Sequence, residues 1–352
     1  SFPTRRSSDL PSAIALDKTT FTFGTDQNNI AENGYPLKVW GVSQSISFPT
    51  LYSAELKAKR VEYNIAETEL KIRTENLMKQ VSLGYVELQV VNEKLKIYEN
   101  IDSLYFNILK GATVRNSKGD ITNLDLLTIK AKQQQVKNQL NEIKYNLENS
   151  IAKLKTLMGY DSSFVVSPEI TVLPLAEKAI ESSSYFLWLK NQEALSIANI
   201  SIEKNKLMPD ISFNYFLGTN SYQNAQNYHG FEAGISIPIF FNAQKAKIKA
   251  SKFAMNATKY LADYEIELLK VKQKELLSSH LKLKELIYYY NEIGGNLYNE
   301  ITRTAKLSFE NGEIDFLKFA TSTETALQIR LDYLNNLINY TNVTLELNYI
   351  SK

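Results

Sequence analysis

The 352-residue chain has no cysteine and only two histidines, His229 and His280. Disulfides, thiolate metal sites and thiol nucleophiles are therefore excluded, and most imidazole chemistry lacks its residues. Four methionines are too few to argue for a soft-metal site. No nucleophile–base pairing, glycine-rich phosphate loop or metal-ligand spacing is found, so the chain does not read as an enzyme, and no catalytic residue, cofactor or metal is assigned. Charge of one sign is also missing: 40 Lys and Arg stand against 38 Asp and Glu, a net +2. Such a balance gives no field for nucleic acid. No run of 18 apolar residues exists, which excludes a transmembrane helix. A membrane β-barrel is not excluded, because its alternating strands barely raise mean hydropathy.

Proline is scarce where it matters. The eight prolines leave two proline-free tracts, Thr50 to Ser167 and Ile239 to Lys352. Both are rich in Glu, Lys, Leu, Ala, Gln and Ile, the composition of helix. Leu77, Val81, Gly84, Leu88, Val91, Leu95 and Tyr98 are spaced 4-3-4-3-4-3, a heptad seam. The spacing returns at Ile129, Gln133, Val136, Leu140, Ile143 and Leu147, and at Leu327, Leu331, Leu334 and Ile338. Each tract is broken once by a polar loop, Gly111–Asp120 in the first and Glu310–Gly312 in the second. Each is thus an antiparallel helical hairpin, and a helix from Leu51 to Lys110 spans on the order of 90 Å.

Before each hairpin the period changes from helical to alternating. Trp40, Val42, Ile46 and Phe48 share one face against Gly41, Ser43, Ser45 and Ser47. Phe231, Ala233, Ile235 and Ile237 oppose Glu232, Gly234 and Ser236. These are strands. Each ends in proline, Pro49 or Pro238, and a shift of 189 residues superposes Gly41 on Gly230 and Ile46 on Ile235. A partner strand precedes each: Thr19–Gly24, and Ile211–Gly218 with Ile211, Phe213, Tyr215 and Leu217 on one face. The connections, 26–35 and 219–229, read as solvated loops. The hairpin turns repeat too, Lys118–Leu124 matching Asn311–Leu317 at an offset of 193. The expected fold is mainly α with a small β part: long antiparallel coiled-coil hairpins, four strands and an internal two-fold repeat. The first repeat is 19–174, with strand pair 19–49, hairpin 50–158 and a connector. The second is 175–352, with helix 182–208, capped by Ser183 or Ser184 and stopped by Pro209, strand pair 210–238 and hairpin 241–350.

This duplicated pattern resembles the TolC-type outer-membrane efflux proteins over nearly the whole chain from Thr19. Its carriers are Lys206–Phe213 entering a strand, Gly234–Phe240 leaving one, and the tip pattern Phe309–Leu317. The segment Gln44–Tyr52 further resembles the TolC-type domain associated with heavy-metal efflux pumps of the resistance-nodulation-division class. The resemblance implies a homotrimer whose twelve strands share one barrel in outer-membrane lipid, continued by a periplasmic helical tunnel. It also implies a periplasmic adaptor (membrane fusion) protein and an inner-membrane efflux pump as partners, and passive export as the function. The family places a helical arm before each strand pair, and too few residues precede Thr19 for one. Residues 1–18 are accordingly unassigned, with a non-native or truncated start expected, since Ser1–Leu10 lacks the apolar core of a secretory leader.

Sites follow from that frame. Asp120, Asp125, Glu313 and Asp315 lie at the tips, where threefold repetition would turn each into a carboxylate ring gating the periplasmic entrance. The competing account is that they favour helix starts through the dipole. Gly119 and Gly312 serve left-handed turns, and Ile121, Leu124, Ile314 and Leu317 either dock an adaptor helix or pack the hairpin. The membrane-facing strand residues are Trp40, Val42, Ile46, Ile211, Phe213, Tyr215, Phe231, Ile235 and Ile237. Trp40, Tyr215, Tyr222 and Tyr228 are candidates for an interfacial aromatic girdle. Gly294-Gly295 is expected to bend or cap a helix. A periplasmic coiled-coil adaptor without a membrane barrel is the rival reading; it explains the hairpins but not the duplicated strand pairs.

Overall fold

A computed structural model describes residues 15–350 except 168, 171, 177 and 178. The expectation for the first fourteen residues lies outside the described part. The strands are β1 (Thr20–Ile30), β2 (Pro36–Ile46), β3 (Asp210–Thr219) and β4 (Tyr228–Ser236). The helices are α1 (Pro49–Ser117), α2 (Asn123–Met158), α3 (Ser184–Asn205), α4 (Asn242–Tyr289), α5 (Gly295–Glu310) and α6 (Phe316–Ile350). Among the described residues no helix is long and apolar enough to cross a membrane. The chain forms two compact units that each draw on both halves of the sequence. One holds the residues up to Ile72 with Ser184–Leu268, the other Arg73–Ser183 with the chain from Leu269 onward.

In the first unit the strands form one antiparallel sheet in the order β1-β2-β3-β4. In the same unit α3 is joined to α1 and α4 by side-chain bonds. The Trp188 indole donates to Glu69 Oε1 of α1 at 3.3 Å, and the Tyr185 hydroxyl to Glu265 Oε2 of α4 at 3.4 Å. Gln244 of α4 donates to both the backbone oxygen and the carboxylate of Glu203, at 2.7 and 2.8 Å. Small buried residues, Ala54, Ala58 and Ala66, let α1 lie close to its neighbours. Helix α3 begins at Ser184, so Ser183, with φ −70° and ψ 145°, takes the cap position.

In the second unit two apolar clusters join segments far apart in sequence. One is Val90, Ile97, Leu334 and Leu337; the other is Tyr105, Ala305 and Phe319. The heptad stripe of α2 is recovered, with Ile129 and Leu140 buried, and it extends one heptad past Leu147 to buried Leu154. The stripe read for α1 understates its burial, since Val86, Val90 and Ile97 off that seam are buried while Leu77 is exposed. A helix packed on several sides does not show a single seam. Gly84 lies where α2 comes close: a Cβ there would sit 3.6 Å from Leu154.

Several expected details differ in the structure. Helix α1 runs through Gly111 to Ser117, so the first break is only Lys118–Thr122; one glycine in a long helix costs about 1 kcal/mol, too little to end it. Strand β1 continues to Ile30, with a register irregularity between Asp26 and Ile30, because beyond its apolar stretch a strand can run on in water without alternation. Ile237 and Phe48 fall past the ends of β4 and β2. Gly294-Gly295 neither caps nor ends a helix: a π-turn, Tyr290–Gly294, inserts there and Gly295 keeps helical angles, φ −64° and ψ −42°.

Candidate functional site

The register sorts the sheet into two unlike faces. Trp40, Val42 and Ile46 of β2 lie opposite Leu217, Tyr215 and Ile211 of β3, and Ile211, Phe213 and Tyr215 lie opposite Ile235, Ala233 and Phe231 of β4. Eight of the nine expected strand residues therefore share one face, Ile237 lying past the strand end. The face is larger than expected, because Phe21 and Phe23 pair with Val42 and Trp40. It is also bare: Phe231 is 83% exposed and Phe21 77%. Burying large apolar side chains stabilises each by about 1.5–3 kcal/mol, so this face lacks its cover in one chain.

The reverse face is mostly small and polar, with Leu37, Val39, Phe216 and Tyr228 as its large members. Across all four strands one row reads Thr22, Gly41, Phe216 and Gly230. The Phe216 ring lies over the two glycines, and a Cβ at Gly41 would stand 3.3 Å from it and 2.3 Å from Thr22 Oγ1. Farther along are Ser43 beside Asn214, Asn214 beside Glu232, and Ser45 beside Ser212. The four-stranded sheet thus sets an apolar face against a mostly polar one.

The aromatic girdle is partly corrected. Trp40 rests on Phe23 at 4.5 Å and Tyr215 on Phe231 at 5.1 Å, both on the apolar face. Tyr228 pairs with Gly218 and so faces the polar side, while Tyr222 lies in the β3–β4 loop stacked on Tyr35 at 4.1 Å. That stack joins two loops already tied by a reciprocal amide pair, Asn33 with Asn220, at 3.1 Å each way. His229, in a stretch expected to be a solvated loop, is in β4 with Nδ1 2.7 Å from the Tyr215 hydroxyl.

In the second unit the two hairpin tips border one cleft of about 770 Å³. Ile121, Leu124 and Asp125 border it from the first tip; Gly312, Glu313, Ile314, Asp315 and Leu317 border it from the second. Gly119 and Asp120 do not. Both tips end their leading helix in the same way. Gly119 has φ +82° and Gly312 φ +75°. The Asp120 amide donates to Arg115 O and the Gly119 amide to Asn116 O; Glu313 and Gly312 repeat this with Ser308 and Phe309. This is the glycine-closed Schellman turn.

The acidic residues have local work. Thr122 caps α2 by accepting from the Asp125 amide at 3.1 Å, and Asp125 accepts in return from the Thr122 hydroxyl at 2.7 Å and amide at 3.0 Å. The hydroxyl bond first, then the amide, holds the Asp125 carboxyl below its ordinary pKa. Asp315 caps α6, accepting from the Lys318 amide at 2.8 Å, and Glu313 accepts from the Ser308 hydroxyl at 2.8 Å. Asp120 is exposed with no side-chain partner among the described residues. Of the apolar tip residues, Ile314 packs on the Tyr105–Phe319 cluster, whereas Leu124 is 73% exposed and Leu317 64%.

One constellation has no sequence signal, because its members are far apart in the chain. The Arg330 guanidinium donates to Glu93 Oε1 at 2.6 Å and to the Tyr290 hydroxyl at 2.7 Å, and Tyr290 stacks on Tyr333 at 3.8 Å. Burial opposes the Arg330 charge, but these bonds prevail and raise its pKa. His280 is buried against the Tyr340 ring at 4.7 Å, which pushes its pKa down, with Lys284 adding to the effect.

No protein-family model and no curated protein sequence matches the chain. Solved structures do. The fold is similar to a membrane protein from Pseudomonas aeruginosa at TM-score 0.83 and 14% identity, covering 99% of this chain and 86% of that one. It is similar to the Campylobacter jejuni CmeC outer membrane channel at TM-score 0.80 and 13% identity, covering 99% and 80%. It is similar to the open state of the Neisseria gonorrhoeae MtrE outer membrane channel at TM-score 0.77 and 12% identity, covering 99% and 83%. The expected TolC-like fold is therefore present, and nothing in these likenesses singles out heavy-metal export.

Proposed function

We propose that the chain is the outer-membrane exit duct of a tripartite efflux system, acting as a passive channel rather than an enzyme. The observation that carries this reading is the bare apolar face of a four-stranded sheet with a glycine- and serine-rich reverse. Four strands are too few to close a membrane barrel, which needs about eight. Three copies would supply twelve, with the apolar face in lipid and the small face lining the lumen. The neighbours described as outer membrane channels support the same role. In this reading the sheet lies in the outer membrane of a Gram-negative cell and the helical hairpins form a periplasmic tunnel. A periplasmic adaptor and an inner-membrane pump are the partners. The chain is read as two duplicated halves, 19–174 and 175–352, each contributing one strand pair and one hairpin.

Within the duct, a pump upstream supplies the energy and the substrate diffuses. The tip carboxylates form the entrance, with Asp120 free to face ions while Asp125 and Asp315 also cap their helices. Leu124 and Leu317, exposed beside the shared cleft, are the residues offered to an adaptor.

The test uses the absence of native cysteine. Single cysteines replace Asn224, in the β3–β4 loop, or Asn311, at a tip, in cells that export the chain, and a membrane-impermeant maleimide is applied. Labelling of N224C on intact cells, with N311C labelled only after the outer membrane is permeabilised, is expected. N224C labelled only after permeabilisation would instead favour the periplasmic adaptor.

A further inference from the structure

The apolar face of the sheet does not stop where β4 stops. Ile235 closes the last apolar row with Ile211 and Ile46, and β4 ends at Ser236. Ile237, Ile239 and Phe240 follow before α4, all exposed, Phe240 to 91%. The first strand-to-helix junction is different: Phe48 is half-buried and α1 starts directly at Pro49. The fold therefore does not require an apolar collar at this level.

Next to that collar is an unusual helix start. From Asn242 to Ala262, α4 carries Lys245, Lys247, Lys249, Lys252 and Lys259 and no acid; the first carboxylate is Asp263. The helix dipole favours acids at this end and opposes cations. On α4, Gln244, Ile248, Ser251 and Met255 form the more buried stripe, and Gln244 bonds α3. Lys245, Lys249 and Lys252 are about a quarter-turn round from it, since each residue advances about 100°. All three are exposed, and none has a carboxylate within ion-pair distance among the described residues. Lys245 and Lys249 rest over the Phe241 and Phe253 rings, each 5.9 Å from the centroid. Lys247 is turned elsewhere, its charge acting on Glu203 of α3. Around the first junction, by contrast, Lys57, Lys59 and Arg60 are accompanied by Glu55 and Glu62, and Lys59 pairs with Glu62 at 3.1 Å.

Apolar side chains followed within a few residues by unpaired cations reproduce the order of a bilayer leaflet, acyl chains and then phosphates. We infer that the β4–α4 junction is a docking surface for anionic phospholipid in the leaflet on the helix side of the sheet. Ile239 and Phe240 enter the acyl layer, and Lys245, Lys249 and Lys252 hold headgroup phosphates. The dimensions agree. At about 1.5 Å per residue the three lysines stand about 5, 10 and 15 Å along the helix from Asn242. The interfacial layer is about 5–8 Å deep on each side of the hydrocarbon core, and screening at physiological salt extends over about 8 Å. Each cation near such a surface adds attraction without a specific bond, so the preference is for negative charge rather than one headgroup. The inference rests on the barrel reading above.

The test reconstitutes the full chain into phosphatidylcholine vesicles with and without phosphatidylglycerol. Integration is read by flotation after an alkaline wash, and lipid selectivity by the immobilised fraction of spin-labelled phosphatidylglycerol against spin-labelled phosphatidylcholine. Wild type is expected to integrate in both vesicles and to prefer phosphatidylglycerol by about tenfold, a preference that high salt weakens. The triple variant Lys245→Gln/Lys249→Gln/Lys252→Gln should integrate equally and lose the preference, and the Lys→Arg triple should keep it. Equal selectivity in wild type and the Gln variant overturns the inference while leaving the barrel intact. A changed anion–cation conductance ratio with unchanged lipid selectivity also overturns it, placing the lysines in the lumen. Failure to integrate in either vesicle overturns the barrel reading and this inference together.

Discussion

The two hairpin tips close alike and are supported unlike each other. Each turns through a left-handed glycine, and each starts its next helix with an equivalent first bond, Leu126 to Thr122 O at 3.2 Å and Phe319 to Asp315 O at 3.1 Å. The residues making that bond differ greatly in setting. Phe319 is 1% exposed and touches the rings of Tyr105, Phe309 and Phe316, whereas Leu126 at the matching position is half-buried. The backbone solution is set by local sequence at both tips, but only the second is anchored by aromatic packing. A duplicated motif can thus keep its turn while one copy becomes a structural anchor and the other is left freer.

Breaking the anchor gives the largest expected effect. Phe319→Ala should cost about 3–5 kcal/mol, the range for deleting a buried aromatic ring. Leu126→Ala should cost about 1–2 kcal/mol, because only part of its side chain leaves water on folding. Urea midpoints of the full chain compare the two, and equal losses would remove the asymmetry. The same anchor holds the Tyr105 phenol, whose pKa burial and then Glu324 push up to about 12. Phe319→Ala should therefore lower the Tyr105 ionisation toward its ordinary value, read by ultraviolet titration.

The glycines test what the tips share. Alanine in a left-handed position costs about 1–2 kcal/mol, and nothing stands within 4 Å of a Cβ at Gly119 or Gly312. Gly119→Ala and Gly312→Ala should therefore lose similar stability, through strain alone. A much larger loss at Gly312 would show that the turn itself is tied to the aromatic anchor.

The caps separate the tips again, at about 1 kcal/mol for Thr122→Ala or Asp315→Ala. Acid sharpens the difference. Asp125 has a folded-state pKa below its unfolded one, so its contribution is complete above the ordinary carboxylate range and is lost as pH falls through the folded value. Protection of the amides at the start of α2, taken relative to their intrinsic exchange rate at each pH, should fall over that acid window in wild type, and in Thr122→Ala it should already be low at neutral pH. A profile unchanged by Thr122→Ala would show that the Thr122–Asp125 bonds do not govern this helix start.

Much of this comparison was legible in the sequence, and the missing parts have physical reasons. The offset of 193 residues aligned the turns correctly because glycine in a left-handed turn is a strong local signal. Alternation marked the sheet face for the same reason, and it failed where alternation ends, as in β1 beyond Asp26. Helix α1 could not be resolved by one heptad seam because it packs on several sides. The Arg330–Glu93–Tyr290 cluster was invisible, since Glu93 and Arg330 are 237 positions apart and no local pattern records their meeting. The tip acids could be placed near the hairpin turns from sequence, but which carboxylates are engaged could not, because capping depends on where each helix starts within a residue.

That last distinction defines the smallest expected change in stability and the most direct probe of the proposed entrance. Asp120 and Glu313 occupy the same place after their glycines, but Glu313 is held by Ser308 and Asp120 is held by nothing described. Asp120→Asn and Glu313→Gln are both exposed changes and should each stay within about 0.5 kcal/mol in unfolding. In planar bilayers, a carboxylate free to meet ions attracts cations more strongly than one shared with a hydroxyl. Asp120→Asn should therefore reduce cation selectivity more than Glu313→Gln does. An equal reduction would mean that the Ser308 bond opens in the assembled duct. No change at either position would leave the tip acids as helix-terminating residues alone, and would move the entrance charge away from the turns.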